Sequence, residues 1–322
     1  MGAPLKKRIL LVAGLLLFAV IGIYCIVLAV PRHDYFIERV GSIERDVHEV
    51  TTSASVISEV LQLESTTGLT VDMRVRRPDH SANRRLPVLL VIGGHRTGKD
   101  AVDLIGKPEG VAFAAIDYPY ASSWSLKGFW RSVTTVHKAQ RAFLDTPPAL
   151  ALAVSWLVKQ PWVDQDRIEL VGVSLGVPFA AVAGATDTRF TRVWLLHGGG
   201  DNVSWLAHAG QEHIENATLR RMAASTLMFF LHGNSLDTAK WIRMIAPRPL
   251  IIVAACDDDF VPREAQEPWI EASASDDVEL IWTKGQHIVG SRRYEELQQL
   301  IDIVVSRTTT NNSPPRFDCD RG

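Results

Sequence analysis

The sequence predicts an α/β protein: a doubly wound, mostly parallel sheet with a helical cap insertion, preceded by one N-terminal transmembrane helix. Three observations predict it. Short apolar runs such as 87–92 (Pro-Val-Leu-Leu-Val-Ile) alternate with helical patterns, the signature of a parallel sheet covered on both faces. A Gly-x-Ser-x-Gly turn joins one such run, 168–173, to an Ala-rich helical stretch at 177–185. The stretch Ile9 to Val30 holds 22 residues without a charge.

Composition narrows the class. The 322 residues are 47% hydrophobic and 22% charged, ordinary for a globular core in one large domain or two small ones. A formal net charge of −2, with no basic run beyond the N-terminus, gives no electrostatic reason to expect nucleic acid. Cys25, Cys256 and Cys319 make neither a disulfide framework nor a metal spacing. A Cys256–Cys319 bridge is compatible with an oxidising compartment; two unpaired thiols are the expectation.

Taken in order, residues 1–8 carry Lys6, Lys7 and Arg8 and are expected to stay in the cytoplasm. A helix over 9–30 spans roughly 33 Å, enough to cross a bilayer core, and the positive cluster before it places the rest on the extracytoplasmic side. The alternative is a signal peptide, cleaved to give a secreted protein, with Val27-Leu28-Ala29 as its cleavage site. Residues 31–55 are polar and read as a stalk, in part helical, with packing on the domain as the alternative. The domain is expected over 56–305. It opens with a hairpin, 56–63 and 70–76, turning at Thr67-Gly68. Strands follow at 87–92, 111–117, 168–173, 191–197, 249–255 and 278–283. Helices are predicted near 133–144, 147–160, 177–185, 263–272 and 291–305. About fifty residues separate the strands at 191–197 and 249–255, longer than an ordinary crossover, and are read as a cap over 201–247 with helices near 216–231 and 238–245. Its Trp205, Leu206, Met222, Leu227, Met228, Phe229, Phe230 and Trp241 are expected to line an acyl pocket or to pack cap against sheet. Residues 306–322 read as a disordered tail.

The serine turn carries the chemistry. A tight strand-to-helix turn lifts Ser174 above the sheet edge, and Gly172 and Gly176 leave room where a Cβ would collide. The amide of Leu175 then points where an oxyanion would form. A serine needs a histidine base, and the base needs an orienting carboxylate. Asp257, Asp258 and Asp259 follow the strand at 249–255; Asp258, three residues before Val261-Pro262, is the chosen acid and its two neighbours are the alternatives. His287, in the loop after the last strand, is the chosen base. The second oxyanion donor is expected from Gly93-Gly94-His95, at the amide of His95. A second glycine string, His197-Gly198-Gly199-Gly200, lies after the serine rather than before it. It is read as a flexible lead into the cap, with Asp201 a minor candidate for the acid. The remaining histidines are read as structural or surface groups.

Together these residues resemble the α/β-hydrolase superfamily over about 56–305. Val163-Asp164-Gln165-Asp166-Arg167-Ile168 and Ala246-Pro247-Arg248-Pro249 resemble its dienelactone hydrolase, acetyl xylan esterase and prolyl-oligopeptidase branch. The sequence departs from the common pattern at Val177 and Ala255, where glycines usually stand. The resemblance implies hydrolysis of esters or amides through an acyl-enzyme by a Ser174–His287–Asp258 triad, with no metal and no organic cofactor; small-molecule or acyl esters are the expected substrates. A peptidase, a thioesterase, or a catalytically silent binding protein of the same fold are the alternatives.

Overall fold

The computed structural model describes residues 3–30, 32–53, 55–79, 84–94, 97–106, 109–120, 129–287 and 293–310. Nine strands form one sheet: β1 (Ile43–Ser53), β2 (Val56–Ser65), β3 (Thr70–Pro78), β4 (Leu86–Ile92), β5 (Ala112–Ile116), β6 (Val163–Val173), β7 (Arg192–Leu196), β8 (Leu250–Ala255) and β9 (Val278–Thr283). Their order is β1-β2-β3-β5-β4-β6-β7-β8-β9. β1, β2, β3 and β5 pair antiparallel, and every pairing from β5 across to β9 is parallel. The chain runs outward from β4 to β5 and then crosses back to β6. The loops after β4 and β6 therefore diverge, leaving a crevice at the strands' carboxyl ends.

The central strands are buried on both faces, which is why they read as unbroken apolar runs. One face packs on α3 (Phe129–Leu157), α4 (Val177–Thr186), α7 (Thr238–Ile242) and α8 (Arg263–Ala272), with Leu150, Phe179, Trp241 and Trp269 in the core. The other face meets α9 (Arg293–Thr310) and a short 3-10 turn, Lys99–Asp103, through Leu300, Val304 and Val102. The cap holds α5 (Asn202–Ala209), α6 (Ala217–Phe230) and α7. The first of these was not anticipated; Asp201 starts it by accepting the amides of Val203 and Ser204. The two helices expected at 133–144 and 147–160 are one, running through Pro147 and Pro148.

The N-terminal part corrects the expected stalk. After α1 (Ala3–Ala29) comes α2 (His33–Glu38), and β1 then pairs with β2 as the sheet's edge strand. Phe36 is buried against Trp241. Asp145 in α3 is fully buried and accepts hydrogen bonds from Tyr35 and from Arg39 Nε and Nη2, the latter two at 3.0 Å. The domain thus begins near residue 33. At the other end α9 continues to Thr310, past the expected limit. Buried Thr308 donates to Glu169 at 3.0 Å, holding the last turn to β6. Residues 311–322 lie outside the description. Cys256 is disulfide-bonded, against the expectation of an unpaired thiol.

Candidate active site

β6 ends at Val173, and Ser174 opens a 3-10 turn, Ser174–Gly176, that leads into α4. Ser174 has φ of 51°, the left-handed region that residues other than glycine seldom occupy. The turn is closed from both sides. A Cβ on Gly172 would lie 2.5 Å from the Cβ of Ala180, and one on Gly176 would lie 2.2 Å from the carbonyl oxygen of Ile92. Two required glycines and one strained serine bring the hydroxyl to the crevice between β4 and β6.

His287 follows β9. Its Nε2 lies 2.8 Å from Ser174 Oγ, and its Nδ1 lies 3.0 Å from Asp258 Oδ2. The His287 and Asp258 side chains are 3% and 1% exposed. Asp258 Oδ1 accepts the amides of Phe260 at 2.9 Å and Val261 at 2.8 Å, which fixes the carboxylate in place. Its neighbours are engaged elsewhere. The Asp259 carbonyl accepts from His208 Nε2 at 2.8 Å, its carboxylate accepts from Gln286 at 3.3 Å, and the Asp257 amide donates to Gly285. Asp201 caps α5 and accepts from Ser204 Oγ at 2.6 Å, so it is committed to the cap. The Phe260 ring covers the imidazole of His287, centroid to centroid 4.8 Å.

Leu175 stands next in the 3-10 turn after Ser174. His95 lies outside the described residues. Gly94, just before it, approaches the serine: a Cβ there would lie 3.2 Å from that of Ser174. Tyr118 Oη donates to the Gly93 carbonyl at 2.6 Å and the Thr97 amide to that of Gly94 at 3.1 Å, so both glycine carbonyls are engaged.

Sequence reasoning passed over His197. It stands just past β7 with φ of 49°, is 3% exposed, and its ring lies 6.1 Å from that of His287. Burial pushes its pKa down to about 4, against a smaller upward pull from Asp258. It is therefore neutral at ordinary pH. Its position at the carboxyl end of the strand beside β6 was the available signal. Potential ligand atoms of His197, Asp258 and His287 lie within 4.8 Å of one another, the one such cluster among the described residues. A cation there would have to displace the proton shared by Asp258 and His287.

A cavity of about 480 Å³ opens at Ser174 and His287. It runs between the sheet and α9, on the face away from α3 and α4, through Val91, Phe113, Val171 and Val304. The cap residues expected to line an acyl pocket do not line it; Trp205 packs on Val261 and Ala265, and Trp241 joins the core against Phe36.

No protein-family model and no curated protein sequence matches the chain. Solved structures do. An acetyl xylan esterase from Paenibacillus sp. R4 superposes with TM-score 0.59 at 14% identity, covering 84% of this chain and 92% of its own. The α/β hydrolase GrgF from Penicillium sp. sh18 gives 0.55 at 16%, covering 78% and 99%. A glucuronoyl esterase from Solibacter usitatus gives 0.51 at 13%, covering 84% and 91%.

The chain has the α/β-hydrolase fold.

Within this α/β-hydrolase fold the two departures from the usual glycine pattern are accommodated. Val177 is fully buried, and the space it fills is left by Gly198, where a Cβ would lie 2.6 Å from Val177 Cγ2. A large and a small residue have exchanged places. The rest of the glycine string serves packing too. A Cβ on Gly199 would meet Ala265 at 3.3 Å, and one on Gly200 would meet Trp269 at 2.7 Å. The string is a seam against Val177 and α8 rather than a flexible lead into the cap. Ala255 is buried at the end of β8, where its methyl fits without disturbing the acid loop.

Proposed function

We propose that the chain is a serine hydrolase of carboxylic esters. The observation that carries this reading is the unbroken hydrogen-bonded line from Ser174 Oγ through His287 to Asp258, at 2.8 Å and 3.0 Å. Ser174 Oγ attacks the acyl carbonyl while His287 Nε2 takes its proton. That proton passes to the alcohol as its C–O bond breaks, leaving an acyl group on Ser174. Water, deprotonated by the same imidazole, then releases the acid. Asp258 holds His287 in the tautomer with Nδ1 protonated and stabilises the imidazolium. The amides of Leu175 and His95 are assigned to the oxyanion. Esterases among the structural relatives support the substrate class. The resemblance in the flanks of Ser174 and Asp258 supports the acetyl xylan esterase-like branch.

A fluorophosphonate probe should label the wild-type chain and leave Ser174→Ala unlabelled, with hydrolysis of p-nitrophenyl butyrate lost in parallel. Equal labelling of both would remove Ser174 as the nucleophile.

We also assign α1 as a membrane anchor, residues 9–30, with residues 1–8 in the cytoplasm and the hydrolase domain outside. Val12–Ala29 is long and apolar enough to cross a bilayer, and its side chains are mostly exposed. Protease added to intact cells should degrade the domain, and the mature chain should keep its N-terminal mass. A mass shortened by the first 29 residues would mark a cleaved signal peptide instead.

A further inference from the structure

We propose that the cavity beneath Ser174 is an acyl-chain site and that the substrates are esters of medium-length fatty acids rather than acetates; this rests on the ester-hydrolase reading above. The cavity owes its existence to what the fold omits. In a doubly wound sheet the crossover from β4 to β5 ordinarily lays a helix over the strands. Here the described part of that crossover holds only the 3-10 turn Lys99–Asp103. One turn cannot cover the sheet, so a gap remains between it and α9. The lining of α9 from Leu297 to Val305 extends about 12 Å along the helix.

The chemistry of the walls selects the occupant. Among the described residues of the lining, Thr97, Ser174 and His287 supply the polar side chains, and every other side chain is apolar. A sugar would carry its hydroxyls into a space without partners, at a cost for each one buried unpaired. An acetyl group brings two carbons to a cavity of about 480 Å³ and leaves most of the walls without contact. An alkyl chain satisfies them. The acyl half of an ester is also the half that stays bonded to Ser174 Oγ after the alcohol leaves, so a cavity that opens at this hydroxyl suits the group that must remain.

The test uses the full-length chain in nanodiscs with p-nitrophenyl acetate, butyrate, octanoate and laurate, and octyl acetate in a parallel assay. Octanoate should exceed acetate in kcat/KM by at least about tenfold, because each methylene taken from water adds to transition-state binding. Ile301→Trp on α9 and Leu104→Trp on the opposite wall, both only partly buried, should each abolish that preference. Retained fluorophosphonate labelling of Ser174 and an unchanged far-UV circular dichroism spectrum would show that the variants fold. The proposal is overturned if octanoate is no faster than acetate, if both variants lose acetate and octanoate activity equally, or if a chain on the alcohol accelerates the reaction while one on the acyl group does not. Ester hydrolysis surviving in Ser174→Ala would overturn the hydrolase reading itself. A flat chain-length profile that vanishes in Ser174→Ala would overturn this inference alone.

Discussion

Ser174, His287 and Asp258 are far apart in the chain and meet because each sits just past the carboxyl end of a parallel strand. That placement is why they were legible in the sequence. Strand ends, turn glycines and chain order are local signals, and a parallel sheet converts them into proximity. Asp258→Asn keeps the shape but offers His287 an amide, which favours the wrong tautomer; kcat should fall roughly ten-thousand-fold with little change in thermal stability. His197 was less legible, because nothing local separates a buried neutral histidine from a surface one. Its folded pKa of about 4 lies below the ordinary 6.5, so the unfolded chain binds the extra proton between those values. Its contribution is intact above pH 6.5 and is lost as pH falls toward 4. His197→Asn, which tolerates the left-handed backbone, should remove a slope of at most about 1.4 kcal/mol per pH unit in that window, read from urea midpoints.

Among the elements, the central strands matched their patterns to within a few residues, because burial on both faces leaves a continuous apolar run, whereas the helix after β5 was split at Pro147 in the expectation. β1 did not. Its side chains are exposed almost throughout, so Glu44, Arg45, Asp46, His48 and Glu49 gave the run no apolar period, and only pairing with β2 makes it a strand. The acyl cavity was illegible for a different reason: the described part of the β4–β5 crossover lays no helix over the sheet, and the gap this leaves has no pattern of its own in a sequence. The seam between α4 and the glycine string gives a direct test of packing. Gly198→Ala should cost about 1–3 kcal/mol by driving a methyl into Val177. Val177→Ala in that background should recover part of the loss, a coupling seen as non-additivity in denaturation free energies.

For the whole molecule, the decisive contacts are those joining the N-terminal helices to the hydrolase body. Asp145 has no exposure, and Arg39 is the cation that neutralises it. Arg39→Leu should leave a carboxylate buried beside Tyr35 and destabilise the domain by about 3–5 kcal/mol, measured on the full-length chain by chemical denaturation. The same region reaches into α1. Leu28 is 2% exposed, Gln140 Nε2 donates to Tyr24 Oη at 3.2 Å, and the His33 ring stacks on Trp241 at 5.4 Å. On the proposed seating of α1 in a bilayer, these contacts make it a mast rather than a tether. The working height of the catalyst above the lipid is then set by its own joinery, and its reach ends at a fixed plane. A dissolved substrate must diffuse to that plane, whereas a lipid moving sideways is already close to it.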